Sequence, residues 1–155
     1  MWCYQSETPH LFFMNRTLRL LFPETPKESF PSLLILALRV AFGLLFLRHG
    51  IEKTAAFDEL ITSFPDPLGV GSTLSLSLVI FAELFCSIAF IIGALFRLCL
   101  IPMMFTMIMA VFVIHGNDAF AIKETALMYL MLFAVLFVSG PGKFSVDAMI
   151  RKAMV

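Results

Sequence analysis

Ionisable side chains are set into apolar stretches of this sequence, where a charge is costly unless it is paired or has a task. They are concentrated in the motif LRHGIEK at residues 47–53, and others follow singly further along the chain. The set comprises Arg39, Arg48, His49, Glu52, Lys53, Glu83, Arg97, His115 and Glu124. Such groups can transfer protons, hold an anion, or fix the packing of helices through ion pairs.

The elements that carry these groups are four apolar runs, at residues 33–47, 74–96, 98–114 and 119–138. The chain is 60% hydrophobic with a mean hydropathy of +0.95, whereas soluble proteins are about 45–50% apolar. A membrane-spanning helix needs about 20 mostly apolar residues, so the first run spans only if its helix continues through RHGIEK. The sequence predicts an all-α integral membrane protein. Its zero net charge gives no basic field for nucleic acid.

Short connections between the later runs predict neighbouring antiparallel helices, and hence an antiparallel four-transmembrane-helix bundle. Seven Lys and Arg residues fall on the side of the two termini: Arg16, Arg19, Lys27, Arg97, Lys143, Arg151 and Lys152. Three fall on the other side: Arg48, Lys53 and Lys123. Because cytoplasmic loops carry an excess of Lys and Arg, both termini are predicted to be cytoplasmic.

Helical periodicity divides the charges of the first run into two groups. Arg39, His49 and Lys53 share one side, at 100° per residue, whereas Arg48 and Glu52 lie four apart on the other side and are predicted to pair. An unpaired charge at the bilayer centre costs about 2.5–3.5 kcal/mol. We therefore predict a buried pair between Arg39 and Glu83, the acid at matching depth.

The remaining members of the basic row lie nearer the end of the first helix. His49 and Lys53 are predicted to face Glu124 and His115 across the bundle. A metal site is the sharper alternative, because His49 and Glu52 are three apart. Metal-binding helical bundles, however, use Glu-x-x-His on two helices. Here the order is reversed and occurs once, so no metal site is predicted.

Two interpretations of the buried charges stay open. Ionisable residues inside membranes usually mark a pathway or a site, and buried ion pairs contribute little as pure stabilisers, which favours a functional polar pocket. The alternative is that the ion pairs only fix the packing of the helices. A transporter is less favoured, because Pro102 is the only proline within the four apolar runs and transporters use paired broken helices.

Several stretches resemble the DoxX family when taken together and in order: LRVAFGLLFLRHGIEK, AELFCSIAFIIGALFRL, KETALMYLMLFAVLF and GPGKFSVD. The resemblance extends over about residues 32–148. It implies a four-helix protein of the bacterial inner membrane. Some relatives are small subunits of thiosulfate–quinone oxidoreductase assemblies, and others are linked to oxidative stress. The family's charged positions correspond to Arg39, His49, Lys53, Glu83, Arg97 and Glu124.

These observations lead to one functional hypothesis and one alternative. The hypothesis is a redox-associated accessory subunit of the bacterial inner membrane, with a charged pocket for a quinone or small anion. The pocket would be lined by Arg39, His49, Lys53, Glu83 and Glu124, with Arg48, Glu52, Arg97 and His115 secondary. The alternative is a non-enzymatic scaffold, assembly factor or small-molecule permease.

Further expectations concern organisation and partners. Residues 1–31 are predicted to be a cytoplasmic or interfacial segment, 32–148 the membrane domain and 149–155 a tail. No intrinsic cofactor is predicted, although a quinone would fit the pocket, and whether the chain is an enzyme stays open. The expected partners are the lipid bilayer and a soluble or membrane redox enzyme subunit, and a homo-oligomer is also compatible with the sequence.

Overall fold

The computed structural model describes residues 29–154, so most of the predicted N-terminal segment lies outside the described residues. The elements are helical throughout, and no strand occurs between residues 29 and 154. They are α1 (Ser29–Ala55), α2 (Phe57–Leu60), α3 (Ser72–Ile92), α4 (Phe96–Ile114), α5 (Phe120–Ser139) and α6 (Val146–Met154).

Four of the helices are long and apolar enough to cross a membrane: α1, α3, α4 and α5. This confirms the prediction of four membrane-spanning helices. The first helix does continue through RHGIEK, and it ends at Ala55. Large apolar side chains such as Phe112 and Val135 point outward, as expected where the surroundings are lipid rather than water.

Glycines set how closely α1 approaches α3. A Cβ atom on Gly50 would lie 2.8 Å from the backbone of Glu83 and of Leu84, and one on Gly43 would overlap the side chain of Ile91. The two glycines are seven residues apart, or about two helical turns, so they lie on one face of α1. This face therefore packs against α3 almost without intervening side chains.

Aromatic side chains fill the space between the helices. Phe46 of α1 packs against Tyr129 and Phe133 of α5, with ring centroids 5.3 and 5.2 Å apart. Phe90 of α3 stacks on Phe96 of α4 at 5.3 Å. This core separates two polar regions, which we call the Arg39 end and the Lys53 end of the helices.

Two of the spanning helices are irregular. α3 contains a π-helical stretch at Phe81–Phe85, and α4 ends in another at Met109–Ile114. α4 also has Pro102 in its interior, which removes one backbone hydrogen bond. Gly93 ends α3 in the left-handed conformation, with φ of 72°, and so permits the short turn into α4.

Candidate functional site

Arg39 is fully buried, and its guanidinium donates four hydrogen bonds to backbone carbonyls. Nε donates to Phe90 O at 3.0 Å and Nη2 to Ile91 O at 2.6 Å. Nη1 donates to Pro141 O at 2.6 Å and to Phe144 O at 3.1 Å. The side chain therefore joins the end of α3 to the segment that follows α5.

The end of a helix explains this arrangement. The last carbonyls of a helix have no partner within it, and they form the negative end of the helix dipole. Phe90 and Ile91 belong to the last turn of α3, so their carbonyls are suited to a cation. A Cβ at Gly93 would come within 2.5 Å of Arg39 Nη2. Glycine at this position thus leaves room for the guanidinium.

The predicted Arg39–Glu83 pair is wrong. Glu83 lies seven residues before Phe90 on α3, or about 10 Å along the helix, and its carboxylate is at the Lys53 end. The prediction matched charged side chains by depth and left out the backbone carbonyls at the end of α3. Those carbonyls and the ones of Pro141 and Phe144 accept the hydrogen bonds of Arg39, and no acid among residues 29–154 forms an ion pair with it.

Glu83 instead forms an ion pair with Lys53. Lys53 Nζ lies 2.7 Å from Glu83 Oε2 and 3.0 Å from Oε1. The side chain of Glu83 is 5% exposed and that of Lys53 is 27% exposed. The pair therefore leads from the interior of the protein towards its surface.

Local structure places Glu83 where Lys53 can reach it. Glu83 is the central residue of the π-helical stretch of α3, and Gly50 lets α1 touch the backbone at that point. Lys53 comes three residues after Gly50, which is one turn further along the same face of α1. π-Helical turns are often found at functional sites.

Three more polar groups stand near this pair. His49 and Tyr129 both interact electrostatically with Glu83, and their ring centroids are 6.4 Å apart. Ser87, four residues after Glu83 in α3, is fully buried, and its hydroxyl has no hydrogen-bond partner among residues 29–154. We call Lys53, Glu83, His49, Tyr129 and Ser87 the Lys53–Glu83 site.

Comparison with known proteins identifies the family. The model of the family described as DoxX matches residues 34–116, more than half of the chain. The chain belongs to the DoxX family. The uncharacterized membrane protein Rv3486 of Mycobacterium tuberculosis is 28% identical over 149 residues, covering 86% of this chain and 88% of the relative. No solved structure matches.

Family and fold together make the chain a multi-pass membrane protein. The stretch that matches the DoxX model contains Arg39, Lys53 and Glu83, so both ends of the helices belong to the family region. Glu124 and the motif GPGKFSVD lie beyond it.

The secondary residues predicted for the site of this DoxX protein have other partners than Lys53 and Glu83. The predicted pair between Arg48 and Glu52 is confirmed at 2.7 Å, and it is exposed. His115 Nδ1 lies 2.8 Å from Asp118 Oδ2. Arg97 donates to Phe137 O at 3.1 Å and lies over its ring.

The predicted contact of Lys53 and His49 with Glu124 and His115 is wrong. Lys53 is bound to Glu83, and His49 lies 3.9 Å from Glu52. Glu124 is exposed and makes no hydrogen bond or ion pair within the part of the chain that the structure describes. The close approach at Gly50 directs Lys53 towards α3 rather than towards α5.

Asp147 is a buried acid beside the turn between α3 and α4, and it was not among the predicted site residues. It is 2% exposed, and its Oδ1 and Oδ2 accept the backbone N–H groups of Leu95 and Phe96, each at 2.9 Å. Asp147 thus caps the start of α4. Ser145 is the cap of α6, because its hydroxyl accepts the N–H of Ala148 at 3.1 Å.

Tyr129 and Ser87 were absent from the predicted site. Each stands within an apolar run where a lone hydroxyl gives no periodic pattern, so only the packing of α3 and α5 reveals their position. Residues 29–154 contain no group of three or more His, Cys, Asp or Glu that could hold a metal ion.

Proposed function

We propose that this DoxX-family protein is a redox-associated accessory subunit whose Lys53–Glu83 site binds the head group of a quinone and exchanges protons with it. The observation that carries the proposal is the buried ion pair, in which Glu83 is enclosed and Lys53 extends towards the surface. A buried carboxylate joined to a half-accessible amine can pass a proton between the interior and the aqueous phase.

The chemistry suits a neutral ligand better than an anion. A quinone takes up two electrons and two protons to become a quinol, and the site offers proton donors in Lys53, His49 and Tyr129. Electrons would come from a partner redox enzyme. Lys53 is already neutralised by Glu83, so little net positive charge remains for a small anion.

The unpaired hydroxyl of Ser87 also supports the binding of a quinone. Buried hydroxyl groups almost always have a partner, yet that of Ser87 has none in the described part of the chain. A carbonyl oxygen of a bound quinone could accept a hydrogen bond from this hydroxyl. Such a ligand would relieve the free-energy penalty of the unpaired group, about 1–3 kcal/mol.

The proposal includes a location and an orientation. We place the chain in the bacterial inner membrane, as an antiparallel bundle with both termini cytoplasmic, because Lys and Arg are more numerous on that side. The Lys53–Glu83 site would then open to the outer face. The Arg39 end would lie towards the cytoplasm, where a soluble partner subunit can dock.

A second candidate function is a non-enzymatic scaffold or assembly factor. Arg39 favours it, because its four hydrogen bonds all go to backbone carbonyls of the protein itself. A residue used in this way joins segments together and needs no ligand. The two candidates therefore rest on different ends of the helices.

The quinone content of the purified protein distinguishes the two candidate functions. Detergent-purified protein would be analysed by native mass spectrometry and by solvent extraction of quinones, with Glu83→Gln and Glu124→Gln as matched variants. Both changes remove one carboxylate charge, but Glu124 is exposed and makes no hydrogen bond or ion pair within residues 29–154. We expect quinone in the unmodified protein and in Glu124→Gln, and its loss in folded Glu83→Gln. A folded unmodified protein without quinone would favour the scaffold.

A further inference from the structure

A cavity of about 290 Å³ lies between α3 and α4, beneath the loop that follows α2. Phe64 and Pro65 of the loop form its roof, while Val79 of α3 and Phe105 of α4 form its walls. Neither Lys53 nor Glu83 lines it. The cavity is therefore separate from the site proposed above, and no part of that function accounts for it.

The helix irregularities of α3 and α4 are all found at this cavity. Phe81 begins the π-helical stretch of α3, Met109 and Ile114 begin and end that of α4, and Pro102 interrupts the backbone bonding of α4. All four residues line the cavity. Each irregularity diverts a helix from its regular path, so the cavity is a feature of how the two helices are built.

The cavity wall is suited to hydrocarbon. Among residues 29–154, no Lys, Arg, His, Asp or Glu lines it. The hydroxyl of Ser75 already donates to Asp66 Oδ1 at 2.7 Å, and that of Thr106 donates to Met103 O at 2.9 Å. A ligand in the cavity would therefore meet apolar surface and hydroxyl groups whose hydrogens are in use.

The volume and the position of the cavity indicate that its ligand is part of a lipid molecule. The volume equals that of about ten water-sized groups, enough for a segment of one chain and too small for a whole lipid. Leu78 and Phe105 line the cavity and are 47% and 45% exposed. The cavity thus has a lateral side from which a chain in the bilayer can enter.

Asp66 lies beside the cavity, between the lining residues Pro65 and Pro67, and we call this acidic edge its rim. Its carboxylate accepts hydrogen bonds from Ser75, from the N–H of Gly71 at 2.7 Å and from that of Val70 at 3.1 Å. These bonds lower the pKa of Asp66 below its usual value, so it is negatively charged at neutral pH. An anionic head group held at this rim would be repelled.

We propose that the cavity between α3 and α4 binds one hydrocarbon chain of a lipid with an uncharged head group. The apolar wall selects the chain, and the acidic rim selects against lipids that carry a negative charge. The site is independent of Glu83 and of any redox role.

Photolabelling of the full-length protein in nanodiscs tests this. One probe is a diacylglycerol with a diazirine in its acyl chain, and the other is a phosphatidylglycerol with the same chain. We expect diacylglycerol to label peptides around Val79 and Phe105 severalfold more than the exposed Val135 on α5, and unlabelled diacylglycerol to compete. We expect weaker labelling of these peptides by phosphatidylglycerol, which Asp66→Asn should strengthen.

Matched variants locate the ligand. Val79→Trp fills the cavity and should reduce labelling severalfold, whereas Val135→Trp adds the same bulk on a lipid-facing surface and should not. Glu83→Gln should leave labelling unchanged, even if it abolishes quinone binding. If Val79→Trp does not fold, competition by unlabelled diacylglycerol decides. Equal labelling at Val79 and Val135, absence of competition, or a preference for phosphatidylglycerol would overturn the proposal.

Discussion

Arg39 and Asp147 hold the two sides of one turn. Arg39 binds the carbonyls of Phe90 and Ile91, immediately before Gly93. Asp147 binds the N–H groups of Leu95 and Phe96, immediately after it. The last carbonyls of α3 thus receive a cation and the first N–H groups of α4 an anion, as the helix dipoles favour. Through these two residues, α1 and α6 fix the α3–α4 turn.

Removal of the Arg39 side chain should destabilise the protein strongly. Arg39→Ala leaves four carbonyls without their donor, and we expect a loss of about 3 kcal/mol or more, since hydrogen bonds to charged groups contribute about 1.5–3 kcal/mol each. Arg39→Lys keeps the charge but cannot reach all four carbonyls, so its loss should be intermediate. Unfolding in detergent measures both, with exposed Arg48→Ala as the control. A loss no larger than that of Arg48→Ala would contradict this role.

Lys53 and Glu83 should behave as a coupled pair. Lys53→Met leaves the buried carboxylate of Glu83 without its counter-charge, at a cost of about 3–5 kcal/mol. Glu83→Gln leaves the amine of Lys53, which is 27% exposed, without its counter-charge, and its cost should be smaller. The double variant should lose less than the sum of the single variants, by about 1–3 kcal/mol. Unfolding free energies of the four proteins give this coupling. Strict additivity would mean that the pair contributes nothing to the fold.

The spanning helices and one local pair were predictable from the sequence. The apolar runs fixed the four spans, and four-residue spacing was enough for Arg48 and Glu52. Partners across the helices were not predictable, because they depend on how α1 sits against α3. Gly43 and Gly50 determine how closely α1 packs against α3. Small residues are common in such helices, so the pattern does not single out these two.

The backbone partners of Arg39 and the helix irregularities could not be predicted from the sequence, for a different reason. An argument that pairs side chains with each other cannot find carbonyl acceptors, and within residues 29–154 Arg39 has no other hydrogen-bond partner. The π-helical stretch at Phe81–Phe85 rotates the face that Glu83 presents. The apolar residues around it have no distinctive pattern that would reveal the stretch.

Gly50→Ala should disturb the Lys53–Glu83 site through the backbone. The added Cβ would lie 2.8 Å from backbone atoms of Glu83 and Leu84, so α1 and α3 must move apart, at a cost of about 1–3 kcal/mol. Unfolding in detergent measures the loss, and Ala41→Val adds bulk to an exposed position of α1 as the control. A neutral Gly50→Ala would show that the helices are not in close contact there.

The proposed orientation predicts the behaviour of reporter fusions. Alkaline phosphatase, which is active only outside the cytoplasm, should be inactive at the C-terminus and active when inserted at Asp118, between α4 and α5. A green fluorescent protein fusion should show the reverse. The physical reason is the excess of Lys and Arg on the side of the termini. Phosphatase activity at the C-terminus would invert the orientation and place the Lys53–Glu83 site on the cytoplasmic side.

Acidic pH should destabilise the loop before α3, because it protonates the carboxylate of Asp66. Hydrogen bonds from Ser75 and from the N–H of Gly71 favour the carboxylate, so the pKa of Asp66 in the folded protein lies below its usual value of 3.8. A lowered pKa means that the ionised group stabilises the fold above pH 4, and that this contribution disappears as the pH falls through the folded pKa. Asp66→Asn should therefore lower the melting temperature at pH 6, and the difference from the unmodified protein should shrink as the pH falls below 4. Melting curves in detergent across this range measure it. A difference that does not change with pH would show that the carboxylate charge is not what holds the loop.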